Sequence, residues 1–123
     1  MKLSLVIPVY NEVESLRELH SQISQAAAKE SLQIEVIFVD DGSRDGSWET
    51  ITQLSQEDSR IRGIRFRRNF GKAAALTAGL KQASGELVMT MDADLQDSPD
   101  EIPGLFHMVK NEGYDLVSRS EER

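Results

Sequence analysis

Cysteine is absent from this 123-residue chain, which rules out a disulfide framework and any thiolate metal site. Positive charge is scarce: 14 Lys and Arg against 21 Asp and Glu leave a formal net charge of −7 and a pI near 4.8. Broad nucleic-acid binding, which needs a basic face, is therefore not expected. Long hydrophobic runs are missing too. No apolar stretch approaches the roughly 20 residues of a membrane span. The start, Met1-Lys-Leu-Ser-Leu-Val-Ile-Pro8, is too short and too soon interrupted for a signal peptide, so a soluble, cytoplasmic chain is expected. With only two histidines, His20 and His107, each placed on a helix surface by its spacing, imidazole chemistry is not the expectation either. The length suits one domain, large enough for a core and too small for two.

What the chain does contain is an alternation of strand-like apolar runs with helix-like periodic segments, without repeats or low-complexity linkers. That alternation predicts an α/β domain with a mostly parallel sheet flanked by helices. Leu3 to Val9 reads as the first strand. Asn11 is placed to cap the next helix, with Glu14 completing a capping-box pattern, and Val13, Leu16, Leu19, Ile23 and Ala26 form its apolar stripe. A second strand runs from Ile34 to Val39. The turn-rich Gly42-Ser-Arg-Asp-Gly-Ser47 leads into a helix with Trp48, Ile51 and Leu54 on one face. Ile61 to Phe66 gives a short third strand, Arg67-Arg-Asn-Phe-Gly-Lys72 a basic loop, and Ala73 to Ala83 a small-residue helix. A fourth strand starts at Leu87. Ser98-Pro-Asp-Glu101 has the capping serine, N1 proline and acid of a helix start, and Asp115-Leu-Val117 begins a fifth strand.

The chemistry concentrates where strands end. Leu87-Val-Met-Thr-Met-Asp-Ala-Asp-Leu-Gln96 is an apolar run that breaks into two carboxylates one residue apart, and Asp40-Asp41 follows the second strand in the same way. Ligands of α/β sheets bind at carboxyl strand ends. Asp92, Asp94 and Gln96 supply hard oxygen donors suited to Mg²⁺ or Mn²⁺, with positions left for phosphate oxygens. The alternative is an acidic loop start with a solvated glutamine. For Asp41 the options are a hydrogen bond to a base or ribose, or a turn residue bonding its own backbone before Gly42.

Four strings in register, Val6-Ile-Pro-Val-Tyr-Asn-Glu12, Phe38-Val-Asp-Asp-Gly-Ser43 with Asp45-Gly-Ser47, Arg68-Asn-Phe-Gly-Lys72, and Met91-Asp-Ala-Asp-Leu-Gln96, together resemble the family 2 glycosyltransferases of GT-A fold. Within that family the chain is most similar to the polyprenyl-phosphate sugar transferases, with the Arg-Asn-Phe-Gly-Lys loop leaning toward bactoprenol glucosyltransferases rather than dolichyl-phosphate mannosyltransferases. The resemblance implies a Rossmann-like nucleotide-binding half and transfer of a sugar from a UDP- or GDP-linked donor to a polyprenyl phosphate, with inversion. It further implies that Pro8, Tyr10, Glu12, Asp92 and Ala93 border the nucleotide, with Val39 and Asp41 near its base. Asp94 would be the catalytic residue and would bind the metal with Gln96; Arg68, Lys72 and Arg119 would meet acceptor phosphate.

Family members continue further, into an acceptor-binding part and membrane helices, and usually carry glycine and arginine after the fifth strand, where this chain reads Ser118-Arg-Ser-Glu-Glu-Arg123. Residues 1–123 are thus expected to be the nucleotide-sugar-binding part of a longer protein at the cytoplasmic face of a membrane. That part alone is expected to be inactive and to expose a face for self-association. Two competing readings are a non-catalytic nucleotide-binding or assembly module, and a receiver-like signalling domain, which has a similar length and clustered aspartates.

Overall fold

The computed structural model describes residues 2–93. Strand β1 (Lys2–Val9), helix α1 (Val13–Glu30), β2 (Gln33–Asp40), α2 (Ser47–Glu57), β3 (Ile61–Arg65), α3 (Lys72–Gln82) and β4 (Leu87–Thr90) follow one another in the expected alternation. The strands form one parallel sheet in the order β3-β2-β1-β4, with Leu3 opposite both Ile34 and Leu87. The helix expected from Ser98 and the strand expected at Asp115 lie outside the described residues.

Why β1 and β2 read as continuous apolar runs is now physical: helices cover both faces of the sheet, so successive side chains are buried on opposite sides. One face carries Leu3, Leu5, Ile7, Val36 and Phe38 against Leu16, Leu19 and Ile23 of α1 and Ile51 and Leu54 of α2. On the other, Ile37 and Val39 meet Ala75 of α3. Small residues on α3 matter because the helix lies close: a Cβ on Gly79 would fall well inside contact distance of Val6 Cγ1. The sheet order excludes the receiver-like reading. That architecture places its third strand beside the first, in the order 2-1-3-4-5, whereas here β3 pairs with β2 at the sheet edge.

Pro8 sets where the sheet opens. Val9 O accepts from Asp41 N and Val6 O accepts from Met91 N, so alternate residues of β1 face β2 and β4, and Pro8 faces β4. Lacking an N–H, it cannot extend that ladder. The β1–β4 pairing therefore ends at Val6 and Thr90, and the two chains are free to part beyond it.

One local expectation is corrected. Asn11 does not cap α1; it sits at φ 55°, Glu12 occupies the cap position, and no side-chain cap bond is made there. The free amides at that end are met from elsewhere in the sequence. Val13 N donates to Asp45 Oδ2 at 3.2 Å, Glu12 N to Ser47 Oγ at 3.1 Å and Asn11 N to Ser43 Oγ at 2.8 Å. The Asn11 side chain is spent in return, accepting from Arg44 N at 2.9 Å.

Candidate nucleotide-binding cleft

The loops leaving the carboxyl ends of the strands are tied in series: the β1–α1 loop to the β2–α2 loop, that loop through Asp41 to the β3–α3 loop, and Lys72 at the start of α3 to Asp92 after β4. The β1–α1 loop is held by the Ser43–Ser47 hydroxyls and the Asp45 carboxylate just described. Burial tends to raise the Asp45 carboxyl, but hydrogen bonds from the Ser47 hydroxyl and from the Val13 and Ser47 amides outweigh it and leave it lowered. The carboxylate is thus a fixed negative pivot at the start of α1, favoured there by the helix dipole.

Asp40 and Asp41 divide the roles that the sequence leaves open between them. The turn bond belongs to Asp40, whose Oδ1 accepts from Ser43 N at 3.1 Å beneath the loop. Asp41, 4% exposed, reaches the other way. Its Oδ1 accepts from Phe70 N at 2.7 Å, and its Oδ2 from Gly71 N at 3.0 Å and Asn69 Nδ2 at 3.1 Å. The loop read for its cations is therefore secured by its asparagine, phenylalanine and glycine. Little in the local pattern around Asn69 announces that role; the one signal is an amide side chain two residues before a glycine in a loop of cations. Asp41→Asn, which keeps one acceptor oxygen for three donors, is expected to cost about 1–2 kcal/mol. Amide hydrogen exchange at Phe70 and Gly71 should speed up in that variant; unchanged protection would remove Asp41 as the anchor.

Between these loops lies an open cleft of about 260 Å³, lined by Pro8, Val9, Tyr10, Glu12, Asp41, Lys72, Asp92 and Ala93. Six of the seven residues assigned to the nucleotide by resemblance thus line one crevice, at the position where an α/β sheet with strands on both sides of β1 binds ligands. Tyr10 offers a half-exposed ring face with a polar tip. Val39 does not line the cleft; its side chain is fully buried, packed beneath α3 near Gly79. Of the phosphate candidates, Lys72 lines the cleft and donates to Asp92 Oδ1 at 2.7 Å. Arg68 does not line it, and its guanidinium stacks 4.8 Å over the Phe70 ring. Asp94, Gln96 and Arg119 lie outside the described residues. His20 is engaged on α1 with Asp58 at 2.9 Å and takes no part in the cleft; His107 lies outside the described residues.

Among the described residues the cleft's donor chemistry is carboxylate oxygen, with no thiol or imidazole in the lining, which fits Mg²⁺ or Mn²⁺ rather than a softer ion. Among the described residues no group of three or more His, Cys, Asp or Glu side chains could hold an ion unaided. No helix among them is long and apolar enough to cross a membrane.

A parallel sheet clothed by helices, with an acid-lined cleft at its carboxyl edge, defines an α/β nucleotide-binding fold of the Rossmann-like kind. Comparison with known proteins gives the particular family: residues 4–120 match the glycosyl transferase family 2, and the chain belongs to it. It is 49% identical over 117 residues to the undecaprenyl-phosphate 4-deoxy-4-formamido-L-arabinose transferase of Yersinia pestis, and equally to that of Yersinia pseudotuberculosis. The match covers 94% of this chain and 36% of the relative, so the chain spans about a third of the length of the proteins it resembles. A mannosyltransferase from Pyrobaculum calidifontis, solved with GDP-Man and Mn²⁺, superposes with a TM-score of 0.70 at 25% identity, over 89% of this chain and 32% of that one. The glucosyl-3-phosphoglycerate synthase of Mycobacterium tuberculosis, solved with UDP, gives 0.65 at 25% identity over 91% and 41%. The fold is therefore GT-A.

Proposed function

We propose that this chain is the donor-binding part of an inverting glycosyltransferase that moves a sugar from a nucleoside diphosphate to a polyprenyl phosphate. The observation that carries the reading is the meeting of Pro8, Tyr10, Glu12, Asp41, Asp92 and Ala93, drawn from β1 and from three separate loops, in one cleft. Its close relatives are named for transfer to undecaprenyl phosphate. In this reading Asp94 and Gln96 hold Mg²⁺ or Mn²⁺, which offsets charge on the departing diphosphate. Tyr10 stacks against the nucleotide, while Pro8, Glu12, Asp92 and Ala93 border it. The acceptor is a phosphate monoester, already ionised near neutral pH. It needs positioning and charge neutralisation more than a base, which accords with a cleft whose described lining residues include no histidine. The lipid substrate sets the full-length protein at the cytoplasmic face of a membrane.

Asp41 also bears on the base. A carboxylate has about four lone-pair sites, and described residues fill three of them. One acceptor position matches the single N–H on the pairing edge of uracil. Guanine presents two adjacent donors there and would leave one unmet, so UDP is the favoured nucleotide. Calorimetric titration with UDP and GDP, each with Mn²⁺ and with EDTA, is expected to show metal-dependent binding that is tighter for UDP. A preference for GDP would overturn the base assignment, and binding of neither would overturn the donor site. Asp94→Ala is expected to abolish the metal dependence with the fold intact.

A further inference from the structure

We propose that Lys72 and Asp92 form a latch across the cleft, which an incoming diphosphate opens by taking over the lysine ammonium. The proposal rests on the donor-site reading. Lys72 is the first residue of α3 and Asp92 follows β4, so their 2.7 Å ion pair ties a helix start to the acidic loop. Both line the cleft, and among its described lining residues Lys72 is the sole cation facing the carboxylates of Glu12, Asp41 and Asp92. A diphosphate entering this crevice meets repulsion from three acids and attraction from one ammonium that is already engaged.

Exposure decides between a latch and a strut. The Lys72 and Asp92 side chains are 62% and 46% exposed, which makes this a weak ion pair, screened by water and cheap to open. A diphosphate brings more charge and more acceptor oxygens than one carboxylate, and an ammonium has three N–H groups to give. The first turn of α3 holds no acidic residue and no side chain caps it; the Asp41 carboxylate at that end is committed to the Phe70 and Gly71 amides. The exchange therefore favours the ligand. It also imposes an order: Asp92 stays neutralised while the cleft is empty and is released once phosphate charge has arrived.

Titration with inorganic diphosphate in EDTA tests the latch on the chain as it stands. Lys72→Met is expected to weaken binding about tenfold, the size of one charged hydrogen bond. Asp92→Asn is expected to tighten it by up to about fivefold, the most that an exposed ion pair is worth, because the ammonium no longer has to be pulled away. In the double variant most of that gain should vanish, since there is no lysine to release. A gain equally large without Lys72 would mean that Asp92 acts by plain repulsion and would overturn the latch. So would an unaffected Lys72→Met, or a wild-type chain that does not bind diphosphate. Melting temperatures within a few degrees of wild type, as expected for exposed substitutions, would show that all variants fold. UDP titrations separate the two claims: UDP binding insensitive to both residues leaves the donor site standing without the latch. Diphosphate binding with the full pattern, but no UDP binding, leaves the latch without the donor site.

Discussion

Gly42→Ala is expected to destabilise the chain by about 3 kcal/mol, combining left-handed backbone strain with a steric clash. Gly42 has φ +81°, a conformation that costs an alanine about 1–2 kcal/mol. The larger problem is space. A Cβ there would lie 2.5 Å from the carbonyl carbon of Arg68 and 2.6 Å from the backbone nitrogen of Asn69. These are main-chain atoms, which cannot swing aside as a side-chain tip can, so the loop from Arg68 to Lys72 must move bodily. Moving it breaks the three hydrogen bonds on Asp41 and shifts Lys72, so loss of stability and loss of nucleotide affinity should appear together.

Gly46→Ala is the matched control, because it isolates the strain. Gly46 has φ +92°, yet its added Cβ would meet nothing closer than Val13 Cγ2 at 3.8 Å. It should cost about 1–2 kcal/mol, from strain alone. Urea denaturation of both variants measures the difference directly. Equal losses would show that the backbone contact between the two loops contributes nothing.

How far this architecture can be read from the chain itself depends on how local each cause is. The strands are legible because coverage on both faces demands continuous apolar runs, and Val36-Ile-Phe-Val39 is such a run. The α1 stripe is legible for the same kind of reason: Leu16, Leu19, Ile23 and Ala26 recur at helical spacing and are all buried. Its cap is not. Asn11 and Glu14 have a good local pattern, but the amide of Val13 is met by Asp45, 32 residues away. The division between Asp40 and Asp41 is hidden in the same sense, since it depends on which loop each carboxylate faces when the strand ends. The cleft residues are legible as motifs, through the resemblance. The pairing of Lys72 with Asp92 across 20 residues is a contact that no spacing rule supplies.

Glu35 is the least local case, and acid should expose it. It interrupts an apolar strand yet is 5% exposed. Ser4 Oγ donates to its Oε2 at 2.5 Å, as do Ser84 N at 2.5 Å and Ser84 Oγ at 3.0 Å. Lys2 and Arg62 lie at 3.7 and 3.4 Å from Oε1. Burial pushes this carboxyl up, but the Ser4 hydroxyl, the Ser84 amide and hydroxyl, and the Lys2 charge more than offset it, lowering it from 4.5 to about 2. A depressed carboxyl binds protons more weakly folded than unfolded. Its contribution is therefore complete above pH 4.5 and is lost as pH falls toward 2. At about 1.4 kcal/mol per unit, that loss is on the order of 3 kcal/mol. Glu35→Gln is expected to destabilise the chain near neutral pH and to flatten the stability profile between pH 4.5 and 2. Asp58, lowered chiefly by its hydrogen bond from Arg60, and Asp45 contribute to the slope that remains. A profile in Glu35→Gln as steep as the wild type's would refute the assignment. The consequence reaches the cleft, because Ser4 Oγ also accepts from Gly85 N at 2.8 Å. Glu35, Ser4 and Ser84 together pin the chain just before β4, fixing Leu87 opposite Leu3. A strand that slips by one residue turns every side chain to the other face, so this buried acid at the far end of the sheet helps decide where Asp92 emerges.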